Sequence, residues 1–420
     1  MRKRNDTIWL YLLLLAVGVG SASGTPGEGV HLAQNVVVRP VGEVAISADS
    51  NPQLLPKGLE TSGSFIDASV GALVTQAKDE LHVEGTFWAR FRRFDKPISG
   101  GDNDNYSEEL SLGLGRRDDW NLKLHERFAR VSDYDLVVNT MDVAAQGTGD
   151  RYLEHPTATP LGVMERTERV ERQLLDSGIG VGGPLTDRTT VDAVCNYGFV
   201  KYLVQDLYDS DELGASAKAS LRLTQKSSAI LVGEYVRMEN NSLVNPAYNY
   251  AGRVGLRWQG TFKSRFEGSF GYYLCTADEP DATNSLSLHG ASYDIAWFWQ
   301  IHPRLSVVLG GRSEAQLAAD TADSIKMVDM ITGSAQYSAS KRLTYSLLIG
   351  YRHEDYTERA VAEAVPVKRI VEQLHGRLRC DYQLLKWLRI YGELWLEDTT
   401  DNVRGAYQEI RATLGVKAEY

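Results

Sequence analysis

The chain has 420 residues, a formal net charge of −10, 38 glycines and 21 tyrosines. This acidity argues against a nucleic-acid partner, and the many Tyr and Gly residues favour strands and bends over helices. The three cysteines and eight histidines are scattered without metal-binding spacing, so we expect no metal and no cofactor.

The first 23 residues predict a secretory signal peptide. Arg2, Lys3 and Arg4 form a basic start, residues 8–19 form an apolar run, and residues 21–23 offer small side chains for cleavage. The apolar run is too short for a membrane-spanning helix. We therefore expect residues 1–23 to direct secretion and to be removed.

Residues 24–63 follow as an N-terminal segment with one candidate first strand, 36–48, whose start is made irregular by Pro40. From residue 64 to residue 420, apolar and polar residues alternate with a period of two, which is typical of strands with one polar face. The alternation is clearest in segments 81–92, 212–223, 262–272, 343–352, 388–397 and 409–420.

The connections between these strands are alternately short and long. Tight turns are expected near residues 78–79, 117–118, 225–226, 260–261, 302–303, 340–341 and 385–386. Longer links are expected near residues 96–105, 134–167, 240–247, 277–284, 318–324, 357–366 and 399–404. Outer-membrane barrels show this asymmetry, with the short turns facing the periplasm.

The strand count from residue 64 is odd, whereas a barrel with both chain ends on the short-turn side needs an even number. Segment 36–48 supplies the missing strand and brings the expected number to about 18. Segments 168–183 and 227–239 alternate poorly, so a barrel of 16 strands stays open as an alternative.

The predicted fold is an all-β, transmembrane, antiparallel up-and-down β-barrel over residues 64–420 with one additional strand before it. The strands are two to three times as long as those of soluble proteins, which average about 5–6 residues. Each unpaired backbone group in hydrocarbon costs several kcal/mol, so a sheet in lipid has to close on itself.

The chain ends in the alternating residues Leu414, Val416, Ala418 and Tyr420. This pattern resembles the C-terminal assembly signal of outer-membrane β-barrel proteins, and with the signal peptide and the strands the chain resembles β-barrel porins. The resemblance implies an outer-membrane location, contact with outer-membrane lipid and recognition by the barrel assembly machinery. It makes the long loop 134–167 either a constriction loop folded into the lumen or an exposed surface loop.

The polar faces of the strands would line the lumen and carry many charges. This arrangement predicts either a charged channel wall or an ion-pair network that fills the barrel, and Arg253, Arg257 and Arg265 suggest an anion-preferring stretch. The candidate pore-lining residues are Arg90, Arg92, Arg253, Arg257, Lys263, Arg265, Glu267, Arg377, Arg379, Arg389, Glu393, Glu397 and Arg411.

Aromatic residues cluster near the expected strand ends, where they would form girdles at the two membrane–water interfaces. The residues concerned include Trp88, Trp120, Tyr235, Tyr250, Trp258, Tyr272, Tyr273, Trp299 and Tyr356.

The sequence favours a porin-like channel for passive passage of small polar solutes or for export of a polymer such as an exopolysaccharide. The alternatives are a non-conducting structural or adhesion barrel and, less well supported, an outer-membrane enzyme of the lipase or protease type. The sequence shows no catalytic grouping, so we predict no catalytic residues and no enzymatic activity. Conductance distinguishes the channel from the non-conducting barrel, and the sequence specifies neither the solute nor the oligomeric state.

Overall fold

The computed structural model describes most of the chain from residue 30 onward. The described ranges are 30–33, 36–51, 57–58, 62–78, 81–95, 103–115, 119–131, 172–202, 209–240, 246–261, 263–277, 286–317, 325–357, 369–403 and 405–419. The expected signal peptide, the long loop 134–167 and Tyr420 lie outside these residues.

The regular structure of the described residues consists of nineteen β-strands. They are β1 (Val30–Ala33), β2 (Val36–Asp49), β3 (Gly63–Lys78), β4 (Leu81–Phe94), β5 (Asn103–Leu114), β6 (Asn121–Val131), β7 (Arg172–Thr186), β8 (Thr189–Tyr202), β9 (Ser210–Arg222), β10 (Ser227–Asn240), β11 (Ala247–Thr261), β12 (Ser264–Ala277), β13 (Leu286–His302), β14 (Leu305–Leu317), β15 (Ile325–Ser338), β16 (Leu343–Thr357), β17 (Ile370–Leu385), β18 (Leu388–Asp401) and β19 (Gly405–Glu419). The described part of the chain contains no helix with the length and apolar character needed to cross a membrane.

Strands β2 to β19 form a closed antiparallel barrel. Each strand pairs with the next along the chain, and β19 returns to pair with β2 from Arg411 opposite Asp49 to Glu419 opposite Val41. The barrel therefore has 18 strands, as the sequence predicted, and the alternative of 16 is wrong. The segments that alternate poorly, 168–183 and 227–239, form the greater part of β7 and β10.

The short strand β1 was not anticipated from the sequence. It pairs with residues 36–38 of β2, beyond the level at which β19 ends opposite Val41. Pro40 lies between these two partners of β2. Its nitrogen cannot donate a hydrogen bond, so this is a position in a closed sheet where proline costs little.

The two faces of the sheet have opposite chemistry, which β19 illustrates. Ile410 and Leu414 are 43% and 66% exposed, whereas Glu409 and Arg411, at alternate positions of the same strand, are 2% and 8% exposed. The same alternation of exposed apolar and enclosed polar residues recurs on β11, β12, β16, β17 and β18. The exposed apolar residues form the exterior of the barrel, and the polar residues face its interior.

The connections at one end of the barrel are short and those at the other end are mostly longer, as expected. We call these ends the short-turn end and the long-loop end. One predicted long link is wrong: β18 continues to Asp401 and β19 starts at Gly405, so the predicted link 399–404 contains only residues 402–404. Gly405 has a φ of +96°, a backbone conformation that glycine adopts without a steric penalty.

Candidate pore lining

The barrel brings the charged candidates from distant parts of the sequence onto one interior surface. By the alternation of exposed and enclosed residues, all but one of them lie on interior-facing positions of β4, β11, β12, β17, β18 and β19. Lys263 lies in the turn between β11 and β12 and is exposed.

Interior charges on β9 to β12 are compensated by carboxylates. The Arg257 Nε donates to Glu267 Oε2 at 2.6 Å, and Lys218 contacts the other oxygen of the same carboxylate. Arg253 donates to Glu234 and, at 3.0 Å, to the Ser292 hydroxyl. Arg253 and Arg257 each have a carboxylate partner, which reduces the net positive charge of the predicted anion-preferring stretch at these two positions.

A second group lies toward the short-turn end of β17 and β18. The Arg379 guanidinium donates to Asp381 at 3.0 and 3.1 Å and to Glu393 at 3.4 Å. Its central carbon lies 3.9 Å from the centroid of the Tyr391 ring, a distance typical of a cation–π contact. The Tyr391 hydroxyl donates to Glu43 on β2, so this group also joins the first barrel strand to the last ones.

Glu397 lies at the centre of a third group. Its carboxylate accepts hydrogen bonds from Gln373 Nε2 and the Tyr407 hydroxyl, both at 2.9 Å. Trp395 stacks on His375 with 5.5 Å between ring centroids. These side chains are buried within the barrel, so this part of the interior is packed with polar and aromatic groups.

Sequence reasoning missed several interior charges that are now seen to pair. Lys326 Nζ lies 3.2 Å from Glu354 Oε2, which also accepts a 2.7 Å hydrogen bond from Tyr356. Arg369 donates to Asp401 at 2.6 Å. On the other side of the β19–β2 closure, Asp67 was also missed, and it accepts hydrogen bonds from the predicted pore-lining residue Arg92 at 2.7 and 2.8 Å. The one signal available for the missed residues was interior alternation, which is seen on their strands for Lys326, Glu354, Tyr356, Asp401 and Asp67.

The interior is not equally enclosed all around the barrel. Arg92 and Glu397 are 1% and 2% exposed, whereas the Arg257 side chain is 41% exposed. Glu109 on β5 and Lys123 on β6 also face the interior and are exposed. Charged interior groups are therefore accessible to water along β5, β6 and the part of β11 near the short turns.

Exposed aromatic rings form two rows on the exterior. Trp258 and Trp299 lie near the short-turn end, and Tyr250 and Tyr272 lie nearer the long-loop end. Eight residues of strand separate Trp258 from Tyr250, which is about 20 Å across a membrane at usual strand tilts. The predicted girdles thus have matching exterior rows.

Three aromatic residues were wrongly assigned to the girdles. Tyr273 and Tyr356 are buried at interior positions. Trp88 also has interior alternation, and the Lys417 Nζ lies 5.7 Å from its ring centroid. Aromatic content alone does not distinguish an interfacial ring from an interior one, because both occur near strand ends.

The described residues contain no group of three or more His, Cys, Asp or Glu side chains placed to hold a metal ion. Cys195, Cys275 and Cys380 lie within strands, and none of them forms a disulfide. The polar groups of the interior are thus organised as ion pairs and hydrogen bonds.

A closed 18-stranded antiparallel sheet with an apolar, aromatic-bordered exterior and a charged interior defines a transmembrane β-barrel of the outer-membrane class. Comparison of the sequence with protein-family models and with curated proteins gave no match.

Solved outer-membrane barrels superimpose on most of the chain. The outer membrane protein OpdK from Pseudomonas aeruginosa is 8% identical, with a TM-score of 0.48 over 91% of this chain and 99% of its own. Acinetobacter baumannii OccAB3 is 9% identical, with a TM-score of 0.45 over 92% and 100% of the two chains. A bacterial polysaccharide outer membrane secretin is 8% identical, with a TM-score of 0.35 over 90% and 98%.

Proposed function

We propose that this protein is a porin-like channel through which small polar solutes cross the outer membrane passively. The observation that carries this proposal is the set of water-accessible interior charges, Glu109, Lys123 and Arg257, inside a closed barrel of 18 strands. A barrel of this size has a lumen wider than side chains alone usually fill.

The pairing of interior charges favours small polar solutes over an acidic polymer. Arg253, Arg257 and Arg379 each contact a carboxylate, so the wall alternates in sign over short distances. An exported acidic exopolysaccharide would need a continuous cationic path, which these three arginines do not supply. The ion pairs should make the channel weakly selective between small cations and anions.

For residues 134–167, which lie outside the described part of the chain, the sequence left two alternatives open, and we propose the constriction loop. A segment of this length between β6 and β7 is long enough to enter the lumen and reduce its cross-section, as the resemblance to porins implies. Deleting residues 140–160 should raise single-channel conductance if the loop narrows the pore. Unchanged conductance of the folded deletion variant would make the loop an exposed surface loop.

The test of the channel is single-channel conductance of the refolded mature protein in a planar bilayer. We expect stable open steps, and we expect Arg257→Gln to shift the reversal potential toward cation preference, because it leaves the Glu267 charge less compensated. Arg237→Gln is the matched control, since Arg237 is an exposed arginine at an exterior-facing position of β10 paired with Glu239. A folded but silent barrel would contradict the proposal and favour the structural or adhesion alternative.

A further inference from the structure

The wall of the barrel is interrupted between β13 and β14. These two strands pair only up to Asp294 opposite Arg312, although both continue toward the long-loop end. Residues 286–293 of β13 stay paired with β12, and residues 313–317 of β14 stay paired with β15. We call the interval between these two stretches the seam.

Beyond the seam, the ends of β14 and β15 lie inside the barrel. Toward the short-turn end of these strands the odd-numbered residues face outward, as the exposed side chains of Leu309 and Ile331 show. Further along, the odd-numbered residues Ala315, Ile325 and Met327 are instead buried in one apolar cluster. The outward face of β14 and β15 is therefore covered at the long-loop end.

Residues that cover this face come from the interior of β10, β11 and β12. The same cluster contains Met238, Ala247, Tyr273 and Cys275. Tyr273 and Cys275 are interior-facing, because they alternate with the exposed Tyr272. The outer face of β14 and β15 thus packs against the inner face of β10–β12, and the wall overlaps itself.

Electrostatic contacts support this overlap. Glu314 on β14 lies within electrostatic range of Glu212 on β9, although four strands, β10 to β13, lie between β9 and β14 around the barrel. This proximity agrees with the apolar cluster in placing the end of β14 inside the lumen.

The seam begins two residues before the level of Tyr272 in the exterior aromatic row, because Tyr293, the first residue of β13 beyond the last pair with β14, lies opposite Phe270. Tyr272 belongs to that row and lies opposite Ala291 in the pairing of β12 with β13. The Ser313 hydroxyl donates to the Ala291 carbonyl at 3.3 Å, where a regular sheet would place backbone pairing. Aromatic rows mark the headgroup level, so the seam extends across the boundary between lipid chains and headgroups.

A charged row lies inside the barrel next to the apolar cluster. It contains Arg253, which contacts Glu234 and Ser292, together with Asp294 and Arg312 at the last paired position below the seam. An apolar surface adjoining charged groups suits a molecule with one apolar chain and one polar head. Methionine side chains such as Met238 and Met327 adapt to chains of different shape.

From these observations we propose that the seam is a lateral opening for a single-chain amphiphile from the outer leaflet. Its chain would pass between β13 and β14 onto the cluster of Met238, Ile325 and Met327, and its polar head would reach the charged row. Separating these strand ends breaks no backbone pairing between them, so opening disrupts mainly side-chain contacts. This route is separate from axial passage of small polar solutes.

The test uses the full mature protein in phosphatidylcholine vesicles with a lysophosphatidylcholine that carries a photoactivatable diazirine at the chain end. Cys195, Cys275 and Cys380 are first replaced by alanine. Ala291→Cys and Ser313→Cys then allow the seam to be closed by a disulfide. The control pair is Ile295→Cys and Gly311→Cys, which are paired below the seam and where an added Cβ meets the Tyr293 ring at an ordinary 3.5 Å.

We expect photolabelled peptides containing Met238 and Met327 in the reduced seam variant, and loss of that labelling after oxidation. Oxidation of the control pair should leave the labelling unchanged, and the exterior Leu274 should be labelled throughout. Absence of interior labelling before oxidation, or interior labelling that persists in the closed variant, would overturn the proposal. Both variants are first shown to run as folded, heat-modifiable barrels, so misfolding cannot produce either result.

Discussion

At the scale of single residues, interior carboxylates that each form ion pairs with two cationic side chains stabilise the wall. Glu267 binds Lys218 and Arg257, and Glu354 binds Lys326 and Arg352. Because the cations in such pairs are partly or fully enclosed, removing the shared carboxylate leaves a buried charge with reduced compensation.

Glu267→Gln should destabilise the barrel by about 2–3 kcal/mol, somewhat less than the ~3–5 kcal/mol for breaking a fully buried ion pair, because the amide oxygen still accepts a hydrogen bond. Arg257→Gln should cost under about 1 kcal/mol, since the Arg257 side chain is 41% exposed and its ion pair is screened by water. Urea unfolding in phospholipid vesicles measures both. Equal effects would mean that the enclosed Lys218 does not depend on Glu267.

Leu347→Asp should destabilise the barrel by roughly 1–3 kcal/mol, because Leu347 is exposed on the exterior and a carboxylate there faces hydrocarbon. Ser346→Asp should be tolerated, because Ser346 lies on the opposite face and pairs in register with Arg379. Unfolding free energies of the two variants in vesicles test the face assignment. Equal tolerance at the two positions would show that it is wrong.

At the scale of elements, the backbones of β11 and β12 approach so closely at one position that a side chain has no room there. A Cβ on Gly271 would lie 1.7 Å from the Gly252 carbonyl oxygen, whereas a Cβ on Gly252 would meet no atom within 4 Å. The two glycines are on adjacent strands, yet only one of them is required by its surroundings.

Gly271→Ala should therefore destabilise the barrel by about 1–3 kcal/mol, the usual cost of overpacking, and Gly252→Ala should be neutral or slightly stabilising. The midpoint of the heat-modifiability transition on gels compares them directly. A neutral Gly271→Ala variant would show that the two backbones can separate at little cost.

At the scale of the whole molecule, closure depends on the pairing of β19 with β2. The residues that precede Tyr420 in the assembly pattern, Leu414 and Val416, are exposed on the exterior of β19. They are accessible on the closed barrel, and we propose that the barrel assembly machinery reads them together with Tyr420.

Deleting Tyr420, or Tyr420→Asp, should reduce the amount of folded barrel in the outer membrane of cells, because the terminal aromatic completes the assembly pattern. Heat-modifiable protein in outer-membrane fractions is the readout, and Tyr420→Phe is the control that keeps the aromatic ring. Normal amounts of folded protein from the deletion variant would contradict this role.

Much of the architecture could be predicted from local pattern. The period of two identifies strands and faces because successive side chains on a strand point to opposite sides, and β19 and β16 follow it closely. The parity of the strand number then located β2 at residues 36–48, despite Pro40. The charged candidates on β4, β11, β12, β17, β18 and β19 had interior positions for the same reason.

The pairing partners of those charges could not be predicted. Glu234, Asp67 and Tyr391 are distant in sequence from some of the groups that they contact, and only the strand register brings them together. The interior face of segment 227–239 could not be predicted either. Its alternation fails because apolar residues occupy interior positions, where Ile230, Val232 and Met238 are buried. The apolar neighbours of Met238 include residues at the ends of β14 and β15.

The sequence by itself thus determined most of the secondary structure, the faces of the strands that alternate clearly, a strand number of about 18 and the membrane class. These depend on neighbours along the chain and on the requirement that a sheet in lipid has no free edge. Only the tertiary structure decided which charges neutralise one another, which part of the interior is open to water, and where the wall overlaps at the seam. Those features depend on contacts between strands far apart in sequence, whose register and curvature no local period encodes.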